Sequence, residues 1–160
     1  MTRSVLSLLA VLAASPATAP AQASARLDGT ERAVVRHIND IRAEHGLAPV
    51  HAGHALNRAA EYHSRDMLRH DFFDHPSSDG TPFDRRIRSY ADARMVGETL
   101  AALGQRHGGG ATIVQMWIDS PPHRAVLLTP EFRRIGVARR WGKLGGAGQA
   151  VVTADFASRH

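Results

Sequence analysis

Three side chains with acid–base and ligand chemistry stand in places that regular packing does not explain. His123 follows Ser120-Pro121-Pro122, where an apolar helical run through Trp117 and Ile118 is cut short. Proline lacks an N–H and pushes the preceding residue out of helical geometry, so Ser120 should end the helix. His123 then sits on a forced bend, or in a short helix through Leu128. His75 precedes Pro76 within Asp71 to Gly80, a stretch of turn formers, and is a second imidazole presented from irregular backbone. Glu98 lies inside Val96-Gly97-Glu98-Thr99-Leu100-Ala101. A carboxylate among apolar neighbours must reach solvent or find a partner, because an unpaired buried charge is too costly. Imidazoles titrate near neutral pH and bind transition metals, and a carboxylate can act beside them as a base.

The other histidines point to blander roles. His63 falls on the apolar stripe of a helical pattern, where a histidine is expected to be a hydrogen-bonded core residue. His51 and His54 stand three apart but have no third ligand type nearby, and His37 and His45 belong on the wet side of the first helix.

The elements that must position these residues follow from periodicity. Val34, Ile38 and Ile41 repeat at helical spacing after Thr30 as N-cap and before Gly46 as stop, predicting a helix over about 31–45. Residues 51–70 carry Leu56, His63 and Met67 on one stripe and predict a second helix. Thr81-Pro82-Phe83-Asp84 predicts a third, short helix through Ser89 or Tyr90 with Phe83, Ile87 and Tyr90 inward. After the Gly-rich loop Gln105 to Gly110, the residues Ile113, Val114, Trp117 and Ile118 give a fourth helix its apolar face. Beyond Pro130 the pattern turns to strands, 134–141 and 149–156, joined by a glycine-rich loop over 142–148. A lone hairpin is marginal, so a further strand is expected from Met95 to Ala101. Helices first and strands last indicate an α+β fold.

Composition bounds the setting. The chain has 160 residues, no cysteine and a formal charge of +5, nearly all of its cations being arginine since Lys143 is the one lysine. Met1-Thr2-Arg3, the apolar run Val5 to Ala14 and the Ala-x-Ala steps up to Ala25 read as a secretory signal peptide over 1–25, with a single domain over 27–160. The apolar run is too short to span a bilayer, so no stable membrane span is expected after cleavage, at a site between Ala19 and Ala25. An exported domain without disulfides suggests a bacterial periplasmic or extracellular setting. Scattered arginines suit anionic envelope polymers, and without a recognisable motif or interleaved aromatics nucleic acid is not expected as a partner.

Six segments in order resemble the CAP (SCP) superfamily of cysteine-rich secretory, antigen 5 and pathogenesis-related proteins, in its short cysteine-free bacterial branch. They are Ile41 to Val50, His63 to Met67, Phe73-Asp74-His75 before Asp79-Gly80, Gly97-Glu98-Thr99, Trp117 to Arg124, and Ile135-Gly136-Val137. The resemblance implies a three-layer α-β-α sandwich with a central antiparallel sheet. It also implies a surface cleft with two histidines and acids, which carry over by motif to His75, Glu98 and His123. The second acid has no motif equivalent, Asp119 lying near the place but off the motif, and Thr99 follows Glu98 where asparagine is usual. Two imidazoles and a carboxylate can hold Zn²⁺ or a similar divalent ion with an open position, or form a metal-free hydrogen-bonded network.

Two functions stay open on this reading. One is a secreted binding or interaction module for a lipid, an envelope polysaccharide or a partner protein. The other is a metal-assisted hydrolase of envelope polymers or peptides, with His75, Glu98 and His123 as its catalytic candidates. The absence of cysteine, and of a Gly-x-Ser-x-Gly elbow around Ser64 or Ser120, favours the first.

Overall fold

The computed structural model describes residues 26–104 and 108–159. The expected signal segment and residues 105–107 of the polar loop lie outside them. Five helices and four strands follow in the order α1 (Gly29–Glu44), β1 (His51–Ala52), α2 (His54–His70), α3 (Phe83–Tyr90), β2 (Val96–Leu103), α4 (Gly110–Asp119), α5 (Pro121–Leu127), β3 (Phe132–Leu144) and β4 (Ala147–Ser158). The sheet order is β1-β3-β4-β2. It is antiparallel except for β1, which runs parallel to β3 through His51 and Ala52.

Strand alternation sorts the side chains into two layers. Val152, Ala154 and Phe156 of β4 and Ile135 and Val137 of β3 face α1, α4 and α5, where Val34, Ile38, Ile113, Trp117 and Leu127 complete the larger core. The opposite face packs Leu100, Val151 and Ala157 under α2 and α3, against Leu56, Met67 and Ile87. This is the three-layer α-β-α arrangement. Its close approaches need glycine: a Cβ on Gly136 would fall 2.0 Å from the Leu56 carbonyl carbon, and one on Gly110 would fall 2.6 Å from the Val34 nitrogen.

Several boundaries differ from expectation for local reasons. α1 is capped by Asp28, not Thr30: Asp28 Oδ1 accepts the Glu31 N–H at 2.7 Å and Glu31 Oε2 accepts the Asp28 N–H at 2.7 Å, a capping box. Residues 51–53 are not helical, because His51 and Ala52 join the sheet edge and Gly53 is the N-cap of α2. The loop expected over 142–148 is mostly strand. Only Gly145 and Gly146 turn, both with positive φ (59° and 78°), as a two-residue hairpin turn requires.

Candidate functional site

Glu98 is the hub. Alternation along β2 turns it to the α2/α3 face, where its side chain is fully buried. Three cations or imidazoles meet it there. Arg86 of α3 closes an ion pair with Oε2 through Nη2. His75 lies with Nδ1 2.8 Å from Oε1, and His63 of α2 stands with Nε2 3.9 Å from Oε2. Arg86 Nη1 also donates to the His75 carbonyl at 2.9 Å and to Ser77 Oγ at 3.0 Å, so one buried guanidinium holds both the carboxylate and the loop that carries the imidazole. That loop is fixed from below as well: Asp66 Oδ2 accepts the Ser78 N–H at 2.8 Å and Asp66 Oδ1 the Ser78 hydroxyl at 2.7 Å.

His75, Glu98 and His123 line one cavity of about 370 Å³. It wraps the outer edge of β2, with His75 and Phe83 on one side and Pro122, His123, Val126 and Phe132 on the other. Gly97 makes this room, since a Cβ there would lie 2.9 Å from Phe132 Cζ and 3.0 Å from Val126 Cγ1. The far wall is pinned by Arg42 of α1, which is fully buried and donates to the carbonyls of Ala48 (2.9 Å), Leu127 (2.6 Å), Thr129 (3.0 Å) and Phe132 (3.1 Å). Asp119 does not join the cavity. It is exposed at the end of α4 and accepts a hydrogen bond from Gln115 Nε2 at 2.8 Å. Thr99, one residue beyond Glu98, points to the opposite face of the sheet.

The imidazoles are held in different states. Its hydrogen bond to Glu98 raises the His75 pKa above the ordinary histidine range, against partial burial. Burial, reinforced by the positive charge of His75, lowers that of His123. Burial also lowers that of His63, outweighing the pull of Glu98, and its Nε2 makes a 2.9 Å hydrogen bond with the Asp74 carbonyl. His63 is thus the core histidine its stripe position predicts, and it is also the floor of the cluster.

Three buried residues of the site are not marked as partners by the sequence. Arg86 reads there as one of several solvent-facing arginines. Arg42 follows Val34 and Ile38 at four-residue steps, so it continues the apolar stripe of α1, but the sequence does not say what meets its charge there. Asp155, directly opposite Glu98 in the β2–β4 register, is fully buried, and no N–H of the described residues reaches either of its oxygens. Burial first, and then the Glu98 charge, push the Asp155 pKa well above its ordinary value, which favours the neutral acid beside the Glu98 carboxylate. The one sequence signal for it is a charged residue inside the Val151 to Phe156 strand pattern.

The donor set suits a divalent ion only in part. Both Glu98 oxygens are committed, to His75 and to Arg86, and among the described residues no group of three His, Cys, Asp or Glu side chains is placed to hold a metal. What remains is His75 Nε2 and the His123 ring. No helix of the described residues is long and apolar enough to cross a membrane.

Known proteins resemble this chain in sequence and in fold. The family model described as "Cysteine-rich secretory protein family" (CAP) matches residues 35–156. The Bacillus subtilis protein YkwD is 33% identical over 129 residues, 77% of this chain and 49% of YkwD. The Bacillus subtilis membrane protein YlbC is 30% identical over 109 residues, 68% of this chain and 31% of YlbC. The chain therefore spans about half the length of one relative and about a third of the other. Among solved structures, an extracellular SCP-domain protein of Bacillus anthracis superposes with a TM-score of 0.68 at 26% identity, over 82% of this chain and 41% of that one. An outer surface protein of Borrelia burgdorferi gives 0.69 at 20% identity, over 84% and 97%, a likeness of fold.

Proposed function

The chain belongs to the CAP family, and from that membership we propose that it is a secreted binding module whose ligand lodges between His75 and His123. The observation that carries this reading is the engagement of Glu98 from both sides. A carboxylate fixed by Arg86 and His75 and removed from solvent is a poor base for water, but a good anchor for an imidazole. The cavity in front of that anchor is walled mainly by Phe83, Val96, Val126 and Phe132. Such a lining, with two polar groups at one end, suits a small amphiphile or the apolar side chain of a partner protein. Secretion is supported by the signal-like start of the sequence and agrees with the extracellular and outer-surface homes of two structural neighbours.

A Zn²⁺ bound here would rest on His75 Nε2 and His123, with Glu98 orienting His75 from behind, and would supply a Lewis acid at the cavity mouth. The chain's own residues do the rest: Arg86 fixes Glu98, Glu98 fixes His75, and Arg42 fixes the wall opposite.

Calorimetric titration with decanoate, beside hydrolysis assays on casein and cell-wall peptidoglycan, tests the reading. Saturable decanoate binding that Gly97→Leu abolishes, with no hydrolysis, is expected. Hydrolysis by the wild type that His123→Ala removes would replace it with the metal-assisted hydrolase.

A further inference from the structure

A second concavity lies on the other side of Arg86 from the histidine cleft. Its volume is about 280 Å³, and it is lined by Tyr62 of α2, by Asp79 and Thr81 of the 71–82 loop, and by Arg85 and Tyr90 of α3. At ~30 Å³ per water that is roughly nine waters, room for a six-membered ring and its substituents. We propose that this pocket is a saccharide subsite that takes one neutral sugar residue of an envelope polysaccharide.

Four observations carry the inference. The polar groups that line it are unused: the hydroxyls of Tyr62 and Tyr90 and the Arg85 guanidinium have no hydrogen-bond partner among the described residues. They are gathered together, Tyr62, Arg85 and Tyr90 all lining the one concavity. Tyr62 is 45% exposed although it is large and aromatic, so its ring is open to a ligand. The charges are of both signs. Asp79 and Arg85 share the lining, and Arg86 is already neutralised by Glu98, so no net charge draws an ion, whereas donors and acceptors are mixed as a polyhydroxylated ring requires.

The pocket is also built in advance. Asp66 holds Ser78, Arg86 holds Ser77, and the Thr81 N–H donates to Asp79 Oδ1 at 2.9 Å, so the loop wall needs little ordering on binding. The exposed Tyr62 ring supplies apolar contact to the C–H face of a sugar, the Tyr90 ring being stacked under Arg58, while the Arg85 guanidinium and Asp79 carboxylate bond its hydroxyls. This site is separate from the His75–His123 cleft, and either can fail without the other.

The test is an NMR titration of the ¹⁵N-labelled protein with N-acetylglucosamine trimer and with cellotriose. Saturable shifts are expected at Tyr62, Asp79, Arg85 and Tyr90 with at least one of the two. Tyr62→Ala and Arg85→Ala, both at the pocket rim, should each weaken binding about tenfold, the loss of one good contact. His123→Ala should leave it unchanged. Absence of saturable shifts with both oligomers, shifts centred on His75 and His123, or full affinity in Tyr62→Ala would each overturn the assignment.

Discussion

Glu98 and Asp155 face each other across the β2–β4 pair, two buried carboxyl groups on one face of the sheet with the Arg86 guanidinium as their shared cation. One cation cannot compensate two buried anions, so the pair divides into a charged Glu98 and a neutral Asp155.

Asp155→Asn keeps the shape and the neutrality of the acid. At neutral pH it should change stability by less than about 1 kcal/mol in denaturant melts, or raise it. The sign of its pH dependence follows from linkage. The folded-state pKa is raised, so the native state binds more protons and stability falls as pH rises above the ordinary aspartate range. The wild type should therefore gain on Asp155→Asn as the solution is acidified toward that range. A loss above about 3 kcal/mol at pH 7 would mean that Asp155 is ionised and paired.

Arg86→Met removes the partner and leaves Glu98 charged in the interior. The expected cost is about 3 to 5 kcal/mol, and adding Glu98→Gln should recover part of it because the orphaned charge goes too. Equal stabilities of the single and double variants would show that Glu98 does not depend on this arginine.

The two cleft imidazoles should titrate on opposite sides of the ordinary histidine range, His75 above and His123 below, by NMR. Glu98→Gln should bring His75 down. The raised His75 stabilises the fold fully below the ordinary imidazole pKa, and this is lost as pH rises through its folded value. The lowered His123 acts in reverse, and its contribution is lost as pH falls through its folded value. Coincident titration of the two rings would contradict the contact with Glu98.

Trp117 is 1% exposed and its indole N–H donates to the Leu100 carbonyl at 2.9 Å, so it ties α4 to β2 as well as filling the larger core. Trp117→Ala should cost about 3 to 5 kcal/mol in denaturant melts, and a cost below about 1 would misplace it.

Much of this is legible in the sequence because it rests on period and punctuation. The apolar stripe of α4, the Pro121-Pro122 break and the two long strands are local patterns that tertiary contacts have only to accept. The resemblance points to His75, Glu98 and His123, which lie around one cavity. What stays hidden depends on distance along the chain. A two-residue strand such as β1 has no period, and becomes a strand only because Arg134 and Ile135 arrive beside it. Arg42 continues an apolar stripe and Arg86 reads as one of many scattered arginines, and neither position names the four carbonyls or the glutamate that close over them. Asp28 and Glu31 are readable as a capping box three residues apart, but Thr30 is an equally good cap residue and competes for the assignment. Glu98 demands a partner without saying which, since its demand is electrostatic and carries no address.

The sheet order β1-β3-β4-β2 places at its centre the two strands that are synthesised after all the others. Until residues 132–158 exist, α1, α2 and α4 lack the two central strands that cover most of their apolar faces, and β2 has no strand to pair with. The sheet is completed only when the hairpin closed by Gly145 and Gly146 sets β3 beside β1 and β4 beside β2. A chain built this way cannot complete its sheet until its last strand has emerged, so its fold is acquired at the end of synthesis.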